Sequence, residues 1–396
     1  MFKKYELKYY NFRLLLLVLI TSVYGVILIN TADSSYTLRQ ILGIIIGSVV
    51  LVAASFIDYH RILKLYWVLY LVLTALLTLT LLFGRVSHGA KRWLVFGPFS
   101  LQASEIGKVV LILFTVRMLT IYREKVDSWS FLFLLWLILL IPLGLTLREP
   151  DLSQTILTTM VLFTVIFTAG VSYKKMGLFF LIVIPLAAGL LFYIQRPDQK
   201  LLADYQRTRI MAFIDPENYD DNVYQQKYSE TAIATGGLSG KGLNNEDPSS
   251  LLNAGYIPEA HTDFIFAAAG EELGFAGCIS ILALLSAVTA ECLYVGYRAR
   301  DMSGRLICTG VACYIGYQSF INIGVVTGIL PNTGLTLPFF SYGMSSIVTL
   351  FLAVGIVLNV SLQRNMEKDD EINIEHFRGF SYYHRREDTN RRGGLA

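Results

Sequence analysis

The apolar stretch FRLLLLVLITSVYGVILIN, residues 12–30, decides the fold, because similar stretches recur along the chain. About 20 mainly apolar residues are enough for a helix to cross the hydrocarbon core of a bilayer. Polar sequence follows Asn30 without a small-residue cleavage site, so we expect a retained first transmembrane helix rather than a cleaved signal. Hydrophobic residues make up 54% of the 396 residues and charged residues only 16%, which is more apolar than a soluble core requires.

These stretches predict an all-α polytopic membrane protein with about ten transmembrane helices. The predicted spans are 12–30, 40–57, 65–83, 104–121, 130–147, 153–171, 176–195, 273–296, 306–329 and 339–362. Lys and Arg concentrate in alternate short loops, so the positive-inside rule places those loops and both termini in the cytoplasm. The basic clusters are Lys3, Lys4, Lys8 and Arg13; Arg61 and Lys64; Arg117, Arg123 and Lys125; Lys174 and Lys175; and Arg298, Arg300 and Arg305.

Residues 1–363 are predicted to form one membrane domain, and residues 364–396 a polar cytoplasmic tail that we expect to be disordered. Between the seventh and eighth spans, residues 196–262 form one long extracytoplasmic loop, of a length that is usually functional or disordered. Residues 84–100 lie on the predicted outer side and carry Arg85, Lys91 and Arg92, which the positive-inside rule alone would not favour there. Residues 330–341, LPNTGLTLPFFS, predict a re-entrant or tightly packed segment whose backbone is shielded by protein.

Several classes of function are disfavoured by composition and spacing. A net charge of +3, spread over short loop clusters, argues against nucleic acid as a partner. No cysteine pair or histidine spacing fits a zinc or redox motif. A hard divalent cation, Mg²⁺ or Mn²⁺, is left open, because acids near one mouth could bind it together with a diphosphate. ATP binding is not supported, because Thr235 replaces the first glycine of a Walker A motif.

Ionisable side chains near the apolar runs are the candidate functional residues, because charge is costly at membrane depth. Glu105 and Lys108 stand three residues apart on one face of the fourth span, where they can pair. A helix-end ion pair that snorkels outward would look the same. In REPDLSQT, Pro150 predicts an outward turn carrying Glu149 and Asp151, although a solvated turn is equally compatible with this pattern.

The strongest local signal is the segment IPEAHTDFIFAAAGEELG, residues 257–274. Asp263 stands beside Phe264 and Phe266, so an apolar wall could raise its pKa toward that of a working base. Its alternative role is to cap the eighth helix, which Asp does well. In the preceding loop, Arg207 and Arg209 are suited to bidentate contacts with a diphosphate, unless they only neutralise nearby acids.

Five segments together carry a resemblance to a known family. They are GAKRWLVFGPFSLQASEIGK, REPDLSQT, AIATGGLSGKG, PEAHTDFIFAAAGEELGFAG and NTGLTLPFFSYGMSS. In this order and between these spans, they resemble the SEDS family, which contains RodA, FtsW and SpoVE. The likeness runs to about residue 363. Two positions depart from the usual family pattern, Ala103 where proline is usual and Met344 where glycine is usual.

The resemblance implies a bacterial cytoplasmic-membrane glycosyltransferase that polymerises lipid II into peptidoglycan at the outer face. It further implies a class B penicillin-binding protein as partner and undecaprenyl diphosphate as the released product. Carried over by position, Asp263 is similar to the family's essential acid, and Glu105 and Lys108 are similar to its charged helix pair. The remaining residues that fall in matching motifs are Arg92, Asp151, His261 and Ser341.

Such a reaction needs a base for the attacking hydroxyl and cations for the leaving diphosphate. Asp263 is the candidate base, and the candidate cations are Arg92, Lys108, Arg207 and Arg209. One alternative is a lipid II flippase, which would need polar groups at the bilayer midplane, where Gln318 and Asn322 are the main deep polar pair. A non-catalytic scaffold for wall-synthesis enzymes is a further alternative. The branch, whether elongation, division or sporulation, stays open.

Overall fold

The chain is described by a computed structural model that covers residues 7–87, 90–96, 99–149, 151–196, 199, 204–215, 220–244 and 249–364. The predicted tail lies outside these residues from position 365 onward. Thirteen α-helices and three strands fall in the described part. The helices are α1 Phe12–Ala32, α2 Thr37–Phe56, α3 Tyr59–Lys64, α4 Tyr66–Phe83, α5 Ala103–Ile121, α6 Trp129–Arg148, α7 Leu152–Thr168, α8 Tyr173–Ile194, α9 Asp204–Ile214, α10 Asp220–Gly236, α11 Ile265–Tyr297, α12 Met302–Val326 and α13 Met344–Leu362. Short 3-10 turns lie at Leu7–Tyr9, Ser34–Tyr36 and Arg123–Lys125.

The predicted all-α polytopic fold is confirmed, and each of the ten predicted spans coincides with a helix. Within the described residues, eight helices are long and apolar enough to cross a membrane. The other two are α7, which has 17 residues, and α5, which carries buried charges. The predicted start of the eighth span at 273 is too late, because α11 begins at Ile265. The predicted start of the tenth at 339 is too early, because residues before Met344 form a tight loop.

Two segments for which no helix or strand was predicted contain regular structure. Residues 85–101 form a three-stranded antiparallel sheet of β1 Arg85–Ser87, β2 Ala90–Phe96 and β3 Phe99–Leu101. Trp93 pairs with Arg85, and Leu94 pairs with Leu101 across the ladder. The long segment between α8 and α11 contains α9 and α10. Hydropathy does not predict these elements, because they pack on the mouth of the bundle and do not cross it.

The bundle is centred on α5, α12 and α13, whose side chains are mostly buried, whereas α8 is almost wholly exposed on the outside. Small residues allow α2 and α13 to approach closely. A Cβ at Gly47 would lie 3.0 Å from Cγ of Phe351, and one at Gly355 would lie 2.6 Å from the carbonyl oxygen of Leu51. A larger residue at either position would push the two helices apart.

The glycine-rich loop after α10 packs into a break in α11. Gly274 has φ 65° and ψ −157° inside this helix, so its helical ladder is interrupted. The backbone N–H groups of Lys241 and Gly242 donate to the carbonyl oxygens of Glu271 and Glu272, each at 2.9 Å. Lys241 Nζ also lies 2.7 Å from Oε1 of Glu271. The glycines therefore serve close backbone approach to α11.

Because consecutive spans alternate in direction, the bundle has two ends with different connections. We call the end that carries the sheet, the α6–α7 turn and the segment between α8 and α11 the cavity end. The opposite end carries α3 and the α11–α12 turn. There His60 lies between two carboxylates, with Nδ1 2.9 Å from Oδ1 of Asp58 and Nε2 2.7 Å from Oδ2 of Asp301. Tyr59 Oη donates to Asp301 at 2.8 Å.

Candidate active site

A cavity of about 500 Å³ opens at the cavity end. It is enclosed by the sheet, the first turns of α5 and α7, the segment before α11, and the loop between α12 and α13. Five of the nine predicted site residues line it, and they come from five separate parts of the chain. These residues are Arg92, Glu105, Asp151, Arg209 and Asp263. The fold thus brings together groups as far apart in sequence as β2 and the start of α11.

Asp263 lies in the turn that leads into α11, and a side chain of α12 holds its backbone. Asn322 Nδ2 donates to the carbonyl oxygen of Asp263 at 2.7 Å and to that of Leu335 at 2.7 Å. The neighbouring side chains of Phe264 and Phe266 are 1% and 3% exposed, and Phe264 lines the cavity together with Asp263. The capping alternative is wrong, because the N-cap position of α11 is Phe264 and no side-chain bond caps the helix.

Asp263 is half-buried, and it forms part of the lining of the cavity. Its removal from bulk water deep in the cleft raises the pKa of Asp263 to about 6, against the opposing effect of Arg209. Glu259 and Asp151 raise this pKa further, and Arg92 lowers it. A carboxylate with this pKa is mostly ionised at neutral pH and still accepts a proton more readily than an ordinary aspartate.

Gly334 provides the space in which Asp263 and Arg209 meet. Its φ of +69° favours glycine. A Cβ added there would lie 3.2 Å from Nη1 of Arg209 and 3.3 Å from Oδ2 of Asp263. A side chain at this position would therefore crowd the acid and the cation that the cavity places side by side.

Asp151 is a second carboxyl of the cavity, and it also begins a helix. Its Oδ1 accepts the backbone N–H of Gln154 at 3.4 Å as the N-cap of α7, and Oδ2 accepts from Gln102 Nε2 at 3.1 Å. Nη1 of Arg92 lies 3.9 Å from Oδ1. Burial raises the pKa of Asp151, whereas Arg92 lowers it. Capping and contact with the cavity are combined in one residue.

Glu105 and Lys108 form the predicted pair, which is buried, so the alternative of a pair that snorkels outward is wrong. Lys108 Nζ lies 3.0 Å from Glu105 Oε1 and 2.9 Å from Gln318 Oε1, and 4.4 Å from the ring centre of Tyr314. Tyr314 Oη donates to Glu105 Oε2 at 3.2 Å, and Gln154 Nε2 donates to Oε1. The pair therefore ties α5 to α7 and α12.

The deep polar residues Gln318 and Asn322 are used in building the cavity. Gln318 Nε2 donates to the carbonyl oxygen of Thr336 at 2.8 Å, and Thr336 lines the cavity. Asn322 holds Asp263, as described above. The NH2 groups of both amides therefore donate to carbonyl oxygens of the segments that form the cavity.

Four predicted site residues lie outside the cavity lining. Lys108 is 1% exposed and faces its partners inside the bundle. Arg207 donates to the carbonyl oxygens of Ile194 and Gln195 at 3.1 and 3.3 Å, at the end of α8. The ring of His261 stacks on Tyr36 with centroids 4.1 Å apart.

Ser341, the fourth of these residues, joins two loops behind the cavity. Its hydroxyl donates to the carbonyl oxygen of Thr262 at 2.6 Å and accepts the backbone N–H of Leu337 at 2.7 Å. It therefore holds the α12–α13 loop against the turn that carries Asp263. We interpret Ser341 as a support of the cavity wall.

Sequence reasoning missed the amides and small residues that complete the site. Gln102, Gln154, Gly334 and Thr336 line the cavity, and none of them carries charge. A spacing signal existed for Gln154 alone, which stands three residues after Asp151 at a helix start. In the described residues, no group of three or more His, Cys, Asp or Glu side chains is placed to hold a metal ion.

Comparisons with known proteins agree with one another. The family model of FtsW, RodA and SpoVE, described as cell cycle protein, matches residues 7–366. A probable peptidoglycan glycosyltransferase FtsW from Geobacter metallireducens is 35% identical over 376 residues, which cover 90% of this chain and 96% of that protein. The peptidoglycan glycosyltransferase MrdB of Escherichia coli K12 is 33% identical over 359 residues, covering 89% of this chain and 94% of that protein.

Among solved structures, one similar chain comes from a study of the structural coordination of polymerization and crosslinking by a peptidoglycan synthase complex. The TM-score is 0.77 and the sequence identity 28%, with 90% of this chain and 99% of that chain covered. The similarity thus extends over most of both chains.

Proposed function

Because this chain belongs to the FtsW/RodA/SpoVE family, we propose that Asp263 is the general base with which it joins lipid II units into glycan strands. Membership confirms the resemblance that the five sequence segments carry. The chain is a peptidoglycan glycosyltransferase, the activity for which its FtsW and MrdB relatives are named. Both kinds of relative match to a similar extent, so the proposal concerns the chemistry that they share.

In the proposed reaction, a sugar hydroxyl of one lipid-linked unit attacks the anomeric carbon of another. The hydroxyl proton passes to Asp263 as the new C–O bond forms. The bond from the anomeric carbon to the diphosphate breaks, and undecaprenyl diphosphate leaves with the electron pair. A single displacement of this kind inverts the anomeric carbon. The protein supplies the base, the cations that meet the diphosphate, and the position of the two sugars.

The observation that carries this proposal is the placement of Asp263 in one cavity with Arg209 and Arg92. A base must keep a high enough pKa to accept a proton, and cations nearby must not lower that pKa to an ordinary value. Burial raises the pKa of Asp263 to about 6 in spite of both arginines. Arg209 and Arg92 are the cations that we assign to the diphosphate, because both line the cavity.

Lys108 has a different role in this proposal. Its ammonium is bound by Glu105 and Gln318 inside the bundle, so we assign it to shaping the cavity floor. A requirement for Mg²⁺ or Mn²⁺ stays a prediction. Since the described side chains form no metal-ligand group of their own, we assign the metal no step.

The test is the rate of lipid II polymerisation by purified protein carrying Asp263→Asn, measured by separating glycan strands on a gel. Asparagine keeps the size of the side chain and cannot accept the proton, so we expect a loss of about 100-fold or more. The matched control is Asp127→Asn, which changes a surface acid at the opposite end. Normal polymerisation by folded Asp263→Asn protein would exclude this residue as the base.

We further propose that the cavity end faces outward and that both termini are cytoplasmic, because the basic loops lie at the opposite end. A class B penicillin-binding protein is the proposed partner, supported by the similar chain in a synthase complex. In a cysteine-free background, Asn244→Cys should react with an impermeant maleimide in intact wall-stripped cells. Lys174→Cys should react only after permeabilisation. The reverse labelling pattern would place the cavity in the cytoplasm.

A further inference from the structure

Glu149 is a buried carboxyl that the proposed reaction does not use. It follows the last residue of α6, and its side chain is 0% exposed. Neither of its carboxyl oxygens has a hydrogen-bond partner among the residues that the structure describes. Glu149 does not line the cavity, but it lies beside Asp151 and Arg92, which do. An ionised carboxylate in such surroundings would be strongly destabilising.

The neighbouring hydroxyl of Thr80 is able to accept a hydrogen bond from a neutral Glu149. Thr80 is fully buried, and its Oγ1 donates to the carbonyl oxygen of Leu76 at 2.9 Å. Its single proton is therefore already used, and only its oxygen can face Glu149. A neutral carboxylic acid can donate to that oxygen, whereas a carboxylate cannot. Burial, followed by the charge of Asp151, raises the pKa of Glu149 to about 8, although Arg92 opposes this shift.

We propose that Glu149 is a positioning residue that must stay a neutral acid, so that Arg92 remains with Asp151 in the cavity. Arg92 Nη1 is 3.9 Å from Asp151 Oδ1, a separation that a competing negative charge could easily increase. Of the described groups, the charged ones that act on Glu149 are Asp151 at the start of α7 and Arg92 on β2, with the uncharged Thr80 on α4. When Glu149 loses its proton, it repels Asp151 and attracts Arg92.

Two measurable effects follow from this arrangement. Activity should fall as Glu149 ionises, because Arg92 is drawn away from the cavity. Stability should also depend on Glu149, since the unfolded side chain ionises near its ordinary value and the folded one only at higher pH. The folded state then binds an extra proton between these values, so stability falls as pH rises from about 4.5 to about 8.

The first experiment is the pH profile of lipid II polymerisation for the wild type and for Glu149→Gln, whose amide is a neutral substitute of the same shape. This experiment rests on the proposed function, because its readout is polymerisation. We expect wild-type activity at pH 9 to be about one tenth of that at pH 7.5, the fraction of acid still protonated. Glu149→Gln should keep at least half of the wild-type rate at pH 7.5 and lose this alkaline decline. An identical alkaline decline in both proteins would overturn the proposal.

The second experiment separates this proposal from the assignment of Asp263. The melting temperature of detergent-solubilised Glu149→Gln should rise relative to the wild type between pH 5 and pH 8. Asp151→Asn, a matched neutralisation of the neighbouring acid, should make Glu149 easier to ionise, so the stability decline of this variant should end at a lower pH than that of the wild type. If Asp263 is not the base, both thermal shifts still occur. Parallel melting curves for the wild type and Glu149→Gln would mean that Glu149 is not held neutral in the folded protein.

Discussion

The two ends of the bundle each bury charged side chains, but they differ in how those charges are satisfied. At the opposite end, His60 has a carboxylate on each ring nitrogen, at 2.9 and 2.7 Å. Burial alone would lower the pKa of His60, but its bonds to Asp301 and Asp58 raise it to about 9. At both carboxylates, burial is outweighed by the hydrogen bonds from His60 together with those from Gln363 at Asp58 and from Gly304 at Asp301, and the pKa values are lowered.

At the cavity end, the pKa shifts run the other way. Burial raises the pKa values of Asp263, Asp151 and Glu149, and the nearby arginines only partly oppose it. Acids that keep a raised pKa in a cleft are typical of functional sites, whereas a fully paired cluster is typical of a structural one. This difference supports the proposal that the cavity end performs the chemistry, whereas the paired charges of the opposite end hold the bundle together.

The largest effect on stability is expected at the buried Glu105–Lys108 pair, which is fully paired like the cluster at the opposite end but lies at the cavity end. Lys108→Met would leave the Glu105 carboxylate without its cation, at a cost of about 3 kcal/mol or more in the free energy of unfolding. Adding Glu105→Gln should recover most of this loss, because the pair is then neutral. Thermal unfolding in detergent measures both variants.

A charge-reversed pair, Glu105→Lys with Lys108→Glu, should remain destabilised. Tyr314 and Gln154 donate hydrogen bonds to the position of Glu105, so both side chains would have to reorient before they could accept hydrogen bonds from an ammonium there. Full recovery of stability in the reversed protein would show that these surrounding bonds do not fix the polarity of the pair.

A smaller effect is expected at the opposite end. Asp301→Asn removes the charge that holds His60 and should lower the free energy of unfolding by about 2 kcal/mol. Because His60 has a raised pKa, its contribution is complete below about pH 6.5 and disappears as pH rises through about 9. Unfolding curves at pH 6 and pH 9.5 should therefore differ less in the variant than in the wild type.

Activity separates the two ends more sharply than stability. The rate of polymerisation per folded molecule of Asp301→Asn should stay within about twofold of the wild type, since no group of the cavity changes. A rate loss comparable with that of Asp263→Asn would mean that the opposite end also takes part in the reaction.

The spans were predictable because hydropathy alone determines which segments lie in lipid. The burial of apolar side chains next to Asp263 was also predictable, since Phe264 and Phe266 are its neighbours in sequence. The sheet and α10 were not predictable, because their packing depends on partners far away in the chain. Likewise, no local pattern shows that Asn322 on α12 holds the backbone of Asp263.

The roles of the charged residues were predicted unevenly, for a physical reason. Residue type shows what a side chain can bind, but the fold decides whether it faces a cavity or a neighbouring helix. Arg209 faces the cavity, whereas Arg207, two residues earlier on α9, donates to the end of α8. Lys108, which follows Glu105 by less than one helical turn, points into the bundle.

The central claim, that Asp263 is the base, is tested most directly by the acid limb of the pH–rate profile. Polymerisation should be half-maximal near the pKa of about 6 assigned to Asp263, because only the carboxylate accepts the proton. At pH 5 the rate should be about one tenth of that at pH 7.5. Arg209→Gln should move this limb to higher pH in whatever activity remains, since Arg209 favours the ionised form. A rate that is flat from pH 5 to pH 7.5, or a limb that Arg209→Gln does not move, would contradict the account.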